Sequence, residues 1–275
     1  MDFQEGEILY IDKPYRWTSF DVVNKVRWLL CKRLGVKKLK VGHAGTLDPL
    51  ATGIMIVCTG RATKRIDELQ AQTKEYVATL RLGATTPSFD LEQPIDAYYP
   101  TEHITRAQVE QVLKQFTGRI EQIPPSYSAV KVDGKRAYDL ARKDKEVTLK
   151  PKILVIEEIE LLQFNPQQTP SSPKKEEEQR PTIPREGMRN KAFLTSPATP
   201  DDSLDYPSIT IRVVCSKGTY IRALARDIGQ ALDSGAHLTA LRRTRVGDVR
   251  ADDCLNMETF AKQLEEMQIN PIVKL

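Results

Sequence analysis

The chain has 275 residues, of which 41 are Lys or Arg and 37 are Asp or Glu, so its formal net charge is +4. This length suits one large domain or two small ones, and the mild positive excess permits a polyanionic partner without requiring one. The four cysteines form no C-x-x-C pair, which argues against a zinc site, and the lack of a signal-peptide core or a membrane-length apolar run predicts a cytoplasmic protein without membrane contact.

The first predicted elements are a short strand at 7–12 and a helix that begins at Thr18. Asp21 lies three residues after Thr18, which is the spacing of a capping box. Gly35 is a good C-terminal stop for this helix because glycine adopts the left-handed backbone conformation without a steric cost.

Asp48 lies in a glycine-rich stretch at 42–53, directly before the apolar run 54–58. The unbroken apolar run indicates a buried strand. An aspartate in such a loop often does no more than cap local amides. The same placement also suits a reactive carboxylate held over a rigid element. The loop alone leaves both interpretations open.

The middle of the chain continues with a strand, a helix and another strand. Residues 75–82 alternate as a strand, with Tyr76 on its apolar face, so a plain core role for Tyr76 is a fair alternative to a functional one. Thr105 with Gln108 gives a second capping-box signature. A strand pattern returns at 153–164.

Two segments interrupt this pattern. Residues 124–132 are extended, and a tight turn leads into a basic helical excursion at 135–143 that carries a tyrosine. Residues 165–206 are rich in Pro, Ser, Thr and charged side chains and have little periodicity. We interpret them as a flexible surface insertion, to which the sequence assigns no role.

The last third is predicted to hold a strand at 208–215, a helix at 219–229, a basic strand at 236–247 and a final helix capped near Asn256. Strands and helices are interleaved without regular alternation, and no internal repeat is present. This pattern favours the α+β class.

Basic residues beside glycine and tyrosine recur along the chain, and such groups hold phosphates and stack bases. Any one cluster could be a solvated face, but four together favour nucleic acid as a partner, and RNA fits because its single-stranded loops are recognised by base stacking. The clusters lie at 37–40, 131–143, 217–226 and 242–245. The sequence has no phosphate-binding loop or dinucleotide fingerprint, and its three histidines do not pair at metal-ligand spacing, so no cofactor and no metal are expected.

Several motifs resemble, in the same order, those of the TruB-type tRNA pseudouridine synthases. The stretch GHAGTLDPLATG resembles the catalytic motif of that family, and the resemblance runs from the first strand to about Val249 apart from the insertion. The matching motifs are GHAGTLDPLATG at 42–53, KEY at 74–76, PSYSAVK at 125–131 followed by RAY at 136–138, CSKGTYIR at 215–222, GAHL at 235–238 and LRR at 241–243.

The resemblance implies the pseudouridine synthase fold, with a mixed, mainly antiparallel central sheet flanked by helices. It implies one catalytic domain over 1–275 with a thumb-like RNA-clamping excursion at about 124–152. Many members also end in a PUA RNA-binding domain, and the residues after Val249 are too few for one. We therefore expect a form without that domain, acting as a monomer.

The resemblance also implies the chemistry and the roles of individual residues. Uridine 55 in the tRNA T-loop is flipped out and isomerised to pseudouridine without cofactor or metal. Asp48 would be the nucleophile, Arg222 would keep it ionised and oriented, and Tyr76 would stack on the base. Taken alone, Arg222 could be a helix-surface arginine, but its place beside Lys-Gly-Thr-Tyr favours the functional interpretation.

The same resemblance assigns residues to RNA binding. Tyr220 and Leu241 would complete the base pocket, although a core role for Leu241 is equally acceptable. His43 would enter the T-loop and support base flipping. Four basic side chains would contact the RNA, at Lys131, Lys217, Arg242 and Arg243.

Two other classes of function remain. A tRNA-binding folding helper would reshape RNA without chemistry and would need neither Asp48 nor Arg222. A metal-dependent hydrolase built on His43 and Asp48 would lose its activity with a chelator.

Overall fold

The computed structural model describes residues 1–128, 131–132, 135–138, 149–166 and 206–267. The strands are β1 (Ile8–Lys13), β2 (Val41–His43), β3 (Ala51–Thr59), β4 (Lys74–Leu82), β5 (Ala84–Thr85), β6 (Ala97–Tyr98), β7 (Gly118–Gln122), β8 (Lys131–Val132), β9 (Lys135–Arg136), β10 (Lys152–Asn165), β11 (Ser208–Cys215), β12 (Ala236–Val246) and β13 (Val249–Arg250). The α-helices are α1 (Ser19–Leu34), α2 (Ile66–Ala71), α3 (Arg106–Gln115), α4 (Ile221–Ala231) and α5 (Met257–Glu266).

Nine strands form one mixed sheet in the order β1-β3-β12-β4-β11-β10-β7, with β2 added to β3 and β13 added to β12. Only the β3–β12 pair is parallel, and the other neighbours are antiparallel. The predicted α+β class with a mainly antiparallel sheet is confirmed. Strand β12 is an interior strand, between β3 and β4, so the basic strand predicted near the C-terminus belongs to the interior of the sheet.

Both capping boxes are confirmed. The Thr18 hydroxyl accepts from the Asp21 amide and the Asp21 carboxylate accepts from the Thr18 amide, and Thr105 and Gln108 do the same for α3. Gly35 ends α1 in the left-handed conformation, with φ of 65°. These caps satisfy the amides that a helix N-terminus leaves unpaired.

Strand β4 alternates strictly between buried and partly exposed residues, as predicted. Strand β3 is instead buried on both faces, because Met55 and Val57 pack against α1 and α5 while Ile54, Ile56 and Cys58 pack against Leu69 of α2. A strand that is covered on both faces has apolar residues at successive positions, so its sequence is a continuous apolar run. The element that follows the Asp48 loop is therefore rigid.

Gly53 allows β12 to approach β3 closely. Its φ is +102°, and a side chain there would collide with the backbone of Arg243. Glycine is the residue that adopts this conformation and leaves room for the neighbouring strand. The approach brings Leu241 and Arg243 of β12 beside Ala51 and Gly53 of the loop-to-strand junction.

The predicted excursion is described only in part. Strands β8 and β9 pair as a hairpin, Ala137 is buried, and the Tyr138 amide donates to the Ser128 carbonyl at 3.0 Å. The remainder of the basic helical excursion, and the predicted insertion from 167 to 205, lie outside the described residues. No helix in the described part of the chain is long and apolar enough to cross a membrane.

Helix α4 begins two residues later than predicted. Thr219 remains in a turn, where its hydroxyl donates to the Ser216 carbonyl at 3.0 Å, and Tyr220 has an extended backbone. The buried stripe predicted for this helix, at Ile221, Leu224, Ala225 and Ile228, is confirmed.

Candidate active site

Asp48 and Arg222 form a two-pronged ion pair, although 174 positions separate them. The Arg222 Nε donates to Asp48 Oδ2 at 2.9 Å, and its Nη2 donates to Oδ1 at 3.1 Å. The Asp48 side chain is 35% exposed, whereas that of Arg222 is 6% exposed. A bidentate pair fixes the carboxylate's orientation, and one carboxylate face remains open to solvent.

Arg222 also ties together two other segments. It donates to the Ser88 carbonyl at 3.2 Å and to the Tyr127 carbonyl at 2.8 Å. Its Nε lies 3.6 Å from Asp90 Oδ2, whose side chain is 7% exposed. The interpretation of Arg222 as a helix-surface arginine is therefore wrong. This one guanidinium joins the Asp48 loop, the Asp90 loop and the root of the thumb-like excursion.

Opposing effects act on the Arg222 charge. Burial disfavours the cation, but the carboxylates of Asp48, Asp90 and Glu92 outweigh it and raise the pKa of Arg222. The guanidinium is therefore a permanent positive charge beside Asp48.

A small cavity lies over the Asp48–Arg222 pair. It has a volume of about 20 Å³, which is room for about one water molecule. A nucleobase is larger, so it needs the walls to move apart before it can bind. The lining residues include Asp48, Ala51, Asp90, Leu91, Arg222 and Leu241.

Tyr76 lies on the buried face of β4, opposite Arg243 of β12. Burial raises the pKa of Tyr76, and the nearby Arg243 partly opposes that rise, so the phenol stays protonated. The ring is 9% exposed and belongs to the main apolar core. Tyr76 thus occupies a core position and is not among the residues that line the cavity over Asp48, so its stacking role stays a prediction.

Two residues before and within α1 hold the Asp48 loop. The buried Lys13 ammonium donates to the carbonyls of Pro14, Trp17 and Pro49 at 3.0, 2.6 and 3.3 Å. The Ser19 hydroxyl accepts from the Leu47 amide at 2.8 Å and bonds the Leu47 carbonyl at 3.0 Å. Asp48 is therefore anchored on both sides, at Leu47 and at Pro49.

Burial lowers the pKa of Lys13 to about 8 from its ordinary value of 10.5, with the Asp48 charge partly opposing the shift. Between these values the unfolded chain holds the Lys13 proton and the folded chain does not, so the contribution to stability rises with pH. Below about pH 8 both states are charged, and the burial cost is present in full.

We therefore compare the free energies of unfolding of wild type and Lys13→Met. The value for wild type should rise relative to that for Lys13→Met from pH 8 to pH 10.5. The rise should be at most about 3 kcal/mol, at 1.36 kcal/mol per pKa unit. Denaturant titrations of both proteins across this range measure it. A difference that stays flat with pH would contradict a buried, shifted lysine.

Gln122 of β7 positions Tyr220. Its side-chain oxygen accepts from the Tyr220 amide at 2.9 Å, and its side-chain amide donates to the Tyr220 carbonyl at 3.2 Å. Gln122 is itself buried. Burial also raises the pKa of the Tyr220 phenol. Tyr220 is thus held, uncharged, two residues before Arg222.

His43 ends β2 at the start of the same loop. Its Nδ1 is buried and has no hydrogen-bond partner among the described residues. Burial lowers the pKa of His43, so the imidazole is neutral at pH 7. A neutral ring is compatible with insertion among bases.

The four basic residues assigned to RNA contacts lie in surroundings that differ from one residue to the next. Lys217 is exposed and lines an open cleft of about 580 Å³ with Lys152. Both terminal nitrogens of Arg242 are engaged by Asp12, at 3.1 and 2.9 Å. The Lys131 side chain lies outside the described residues.

Arg243 requires a correction. It is 1% exposed and donates to the carbonyls of Ile54, at 2.8 Å, and Gly45, at 3.3 Å. A guanidinium enclosed in this way does not reach a phosphate on the surface, so the predicted phosphate contact is wrong. Its observed role is to fix the Asp48 loop beside β3.

Sequence reasoning missed four residues of this site: Lys13, Ser19, Asp90 and Gln122. None lies in a periodic pattern that singles it out, and each acts on a residue at least 28 positions away. Of these four, Lys13 had a local signal in the sequence, because it precedes Pro14 at the end of β1. In the described ranges, no three His, Cys, Asp or Glu side chains group so that they could hold a metal ion.

Two sequence families match the chain. The N-terminal domain of the TruB family pseudouridylate synthases matches residues 32–176. The C-terminal domain of tRNA pseudouridylate synthase B matches residues 222–273.

Individual relatives match over nearly the whole chain. The tRNA pseudouridine synthase B of Phocaeicola vulgatus is 60% identical over 273 residues, which is 99% of both chains. The protein of the same name from Flavobacterium johnsoniae is 42% identical over 96% of this chain and 98% of its own.

Among solved structures, the crystal structure of a Cbf5-Nop10-Gar1 complex matches with a TM-score of 0.59 and 26% identity. The match covers 94% of this chain and 54% of that one, so this chain spans about half its length. A structure of an H/ACA RNP bound to a substrate RNA containing 2'-deoxyuridine matches with a TM-score of 0.57 at 24% identity, which bears on the fold alone.

Proposed function

Because the chain belongs to the TruB family of pseudouridylate synthases, we propose that it isomerises uridine 55 in the T-loop of tRNA to pseudouridine, with Asp48 as the nucleophile. The observation that carries this proposal is the bidentate Arg222–Asp48 pair at the floor of a cavity. A protein that only bound and reshaped RNA would have no need of an oriented carboxylate there.

The reaction breaks the bond between the sugar C1' and N1 of uracil and makes a bond between C1' and C5. The base rotates between these steps, N1 gains a proton, and the hydrogen on C5 leaves as a proton. The reaction is an isomerisation, so it consumes no co-reactant. The chain has to supply a nucleophile, a closed pocket and groups that hold the base.

Asp48 is suited to the nucleophilic role by its surroundings. The two-pronged bond from Arg222 fixes its orientation, while one face of the carboxylate stays open. Asp90 shares the same guanidinium, which balances the charge of the buried arginine. We assign Asp90 a positioning role, because it acts on Asp48 through Arg222.

Four side chains are proposed to hold the base and the RNA around it. Tyr76 stacks on the uracil from the β4 side, and Leu241 and Tyr220 close the pocket. His43 occupies the space that the flipped uridine leaves in the T-loop. Flipping costs least for a base that is already in a loop, which fits a T-loop substrate.

Tritium release tests the proposed reaction directly. A tRNA transcript labelled with tritium at C5 of its uridines should release tritium to water, because C5 loses its hydrogen when it joins the sugar. A folding helper would bind the same transcript and release none. A metal-dependent hydrolase would lose its activity on addition of a chelator, whereas the proposed reaction would not.

Lys217→Ala should weaken tRNA binding because Lys217 is exposed in the cleft it shares with Lys152. Loss of one phosphate contact lowers the slope of log affinity against log salt by about one. Binding titrations from 50 to 300 mM salt measure the slope. Lys262→Ala on α5 is the control, and equal slopes for both variants would count against a phosphate contact.

A further inference from the structure

Three non-glycine residues have positive φ in the described part of the chain: Arg16 at 66°, Phe89 at 60° and Asp233 at 50°. A positive φ is sterically unfavourable for a residue with a side chain. Such strain persists only where the surroundings or the function retain it, and it gathers at functional sites.

Contacts within the chain account for two of these residues. The Phe89 carbonyl accepts from the Leu238 amide at 2.9 Å, and the Arg226 guanidinium lies over its ring at 5.1 Å. Asp233 follows the last turn of α4, and aspartate tolerates this conformation better than most residues. Neither residue needs a ligand to explain its conformation.

The backbone of Arg16 is fixed against the Asp48 loop. Its amide donates to the Pro49 carbonyl at 2.9 Å, and Lys13 bonds the same carbonyl and that of Trp17. These bonds require the left-handed turn at residue 16. They do not require an arginine, because glycine would make the same turn without strain.

The side chain of Arg16 makes no ion pair or hydrogen bond with any described residue. Three other exposed arginines have carboxylate partners, Arg61 with Glu5, Arg65 with Glu68 and Arg106 with Glu110, each at 2.8 Å, whereas the exposed Arg119 and Arg250 form no ion pair with a described residue. The one contact recorded for the Arg16 guanidinium is with the Tyr15 ring, 5.7 Å away.

We propose that Arg16 binds a phosphate of the RNA strand next to the uridine that enters the Asp48 cavity. The inference rests on the proposed function, since it takes the substrate to be RNA. A guanidinium matches a phosphate with two parallel hydrogen bonds. Tyr15, which is 41% exposed, supports the guanidinium from one side and leaves its edge free.

The position explains why a strained arginine is retained there. The Pro49 carbonyl that holds the residue-16 backbone belongs to the residue next to Asp48, so the Arg16 turn packs against the loop that carries the proposed nucleophile. An RNA strand whose uridine reaches Asp48 would pass close to this loop. The strain at Arg16 is then offset when RNA binds.

The test compares Arg16→Gly with Arg16→Lys and Asp233→Gly. Arg16→Gly relieves the strain and removes the charge, so it should raise the thermal midpoint of the free protein by about 2 °C. It should also weaken binding of an unmodified tRNA transcript by about tenfold at 150 mM salt and lower the salt slope by about one. A gain in stability together with a loss of binding is not expected of a structural residue.

Arg16→Lys keeps the charge and the strain, so it should keep the wild-type salt slope. Asp233→Gly removes strain at the far end of α4, about 16 Å from its start, and should bind as wild type does. Unchanged binding in Arg16→Gly, a lower midpoint in that variant, or an equal loss in Asp233→Gly would each overturn the inference. If wild type releases no tritium from C5-labelled tRNA, the proposed function fails instead.

Discussion

Asp48→Asn is expected to reduce pseudouridine formation by at least about 10⁴-fold, which is typical for loss of a nucleophile. An amide carries no negative charge, so it cannot attack as a carboxylate does. Binding of tRNA should survive, because the cavity and the exposed basic residues are unchanged. Single-turnover tritium release and a binding titration, both on the same transcript, measure the two effects separately.

Asp248→Asn is the matched control for Asp48→Asn. It removes one carboxylate charge from the exposed turn between β12 and β13, away from the cavity. This variant should release tritium at the wild-type rate. Wild-type turnover by Asp48→Asn would remove Asp48 from the mechanism, and loss of binding in that variant would assign it to RNA recognition.

Arg222→Ala is expected to abolish activity and to destabilise the fold by about 3–5 kcal/mol. Its removal leaves Asp90 buried without its cation and leaves the carbonyls of Ser88 and Tyr127 without a donor. Breaking a buried pair in this way has a cost of that size. Denaturant unfolding measures the stability, and tritium release measures the activity.

Two variants make the Arg222 prediction specific. Arg106→Ala removes an exposed ion pair on α3 and should cost about 0.5 kcal/mol or less. Arg222→Lys keeps the charge, but one ammonium cannot hold two oxygens of Asp48 in a fixed orientation. It should therefore recover much of the stability and little of the activity. Full activity in Arg222→Lys would contradict the need for a bidentate pair.

The elements that the sequence predicted well are those with local signals. The Thr18 and Thr105 capping boxes, the alternation of β4 and the apolar run of β3 each depend on neighbours within a few residues. The start of α4 was predicted two residues early, because Tyr220 is held in an extended conformation by a side-chain bond from Gln122, 98 positions away in sequence. Local patterns carry no information on such a contact.

For the site, too, residues in sequence motifs were predicted and residues that depend on distant contacts were missed. The resemblance to a known family singled out Asp48 and Arg222, and the structure brings them into contact. Periodicity could not indicate Asp90 or Lys13, since the fold alone creates their partners. The phosphate contact predicted for Arg243 was wrong for the opposite reason: its motif is basic, but β12 is an interior strand between β3 and β4, and Arg243 is buried there. The remaining assigned roles stay predictions.

Position-resolved mapping of pseudouridine in one unmodified tRNA transcript is the most direct test of whether the chain isomerises uridine 55 with Asp48 as the nucleophile. Incubation with the wild-type chain alone, without cofactor, should convert uridine 55 of the T-loop and leave the other uridines unchanged. Asp48→Asn, incubated in parallel, should convert none. Conversion at another position, or conversion at position 55 by Asp48→Asn, would contradict the proposed function and mechanism.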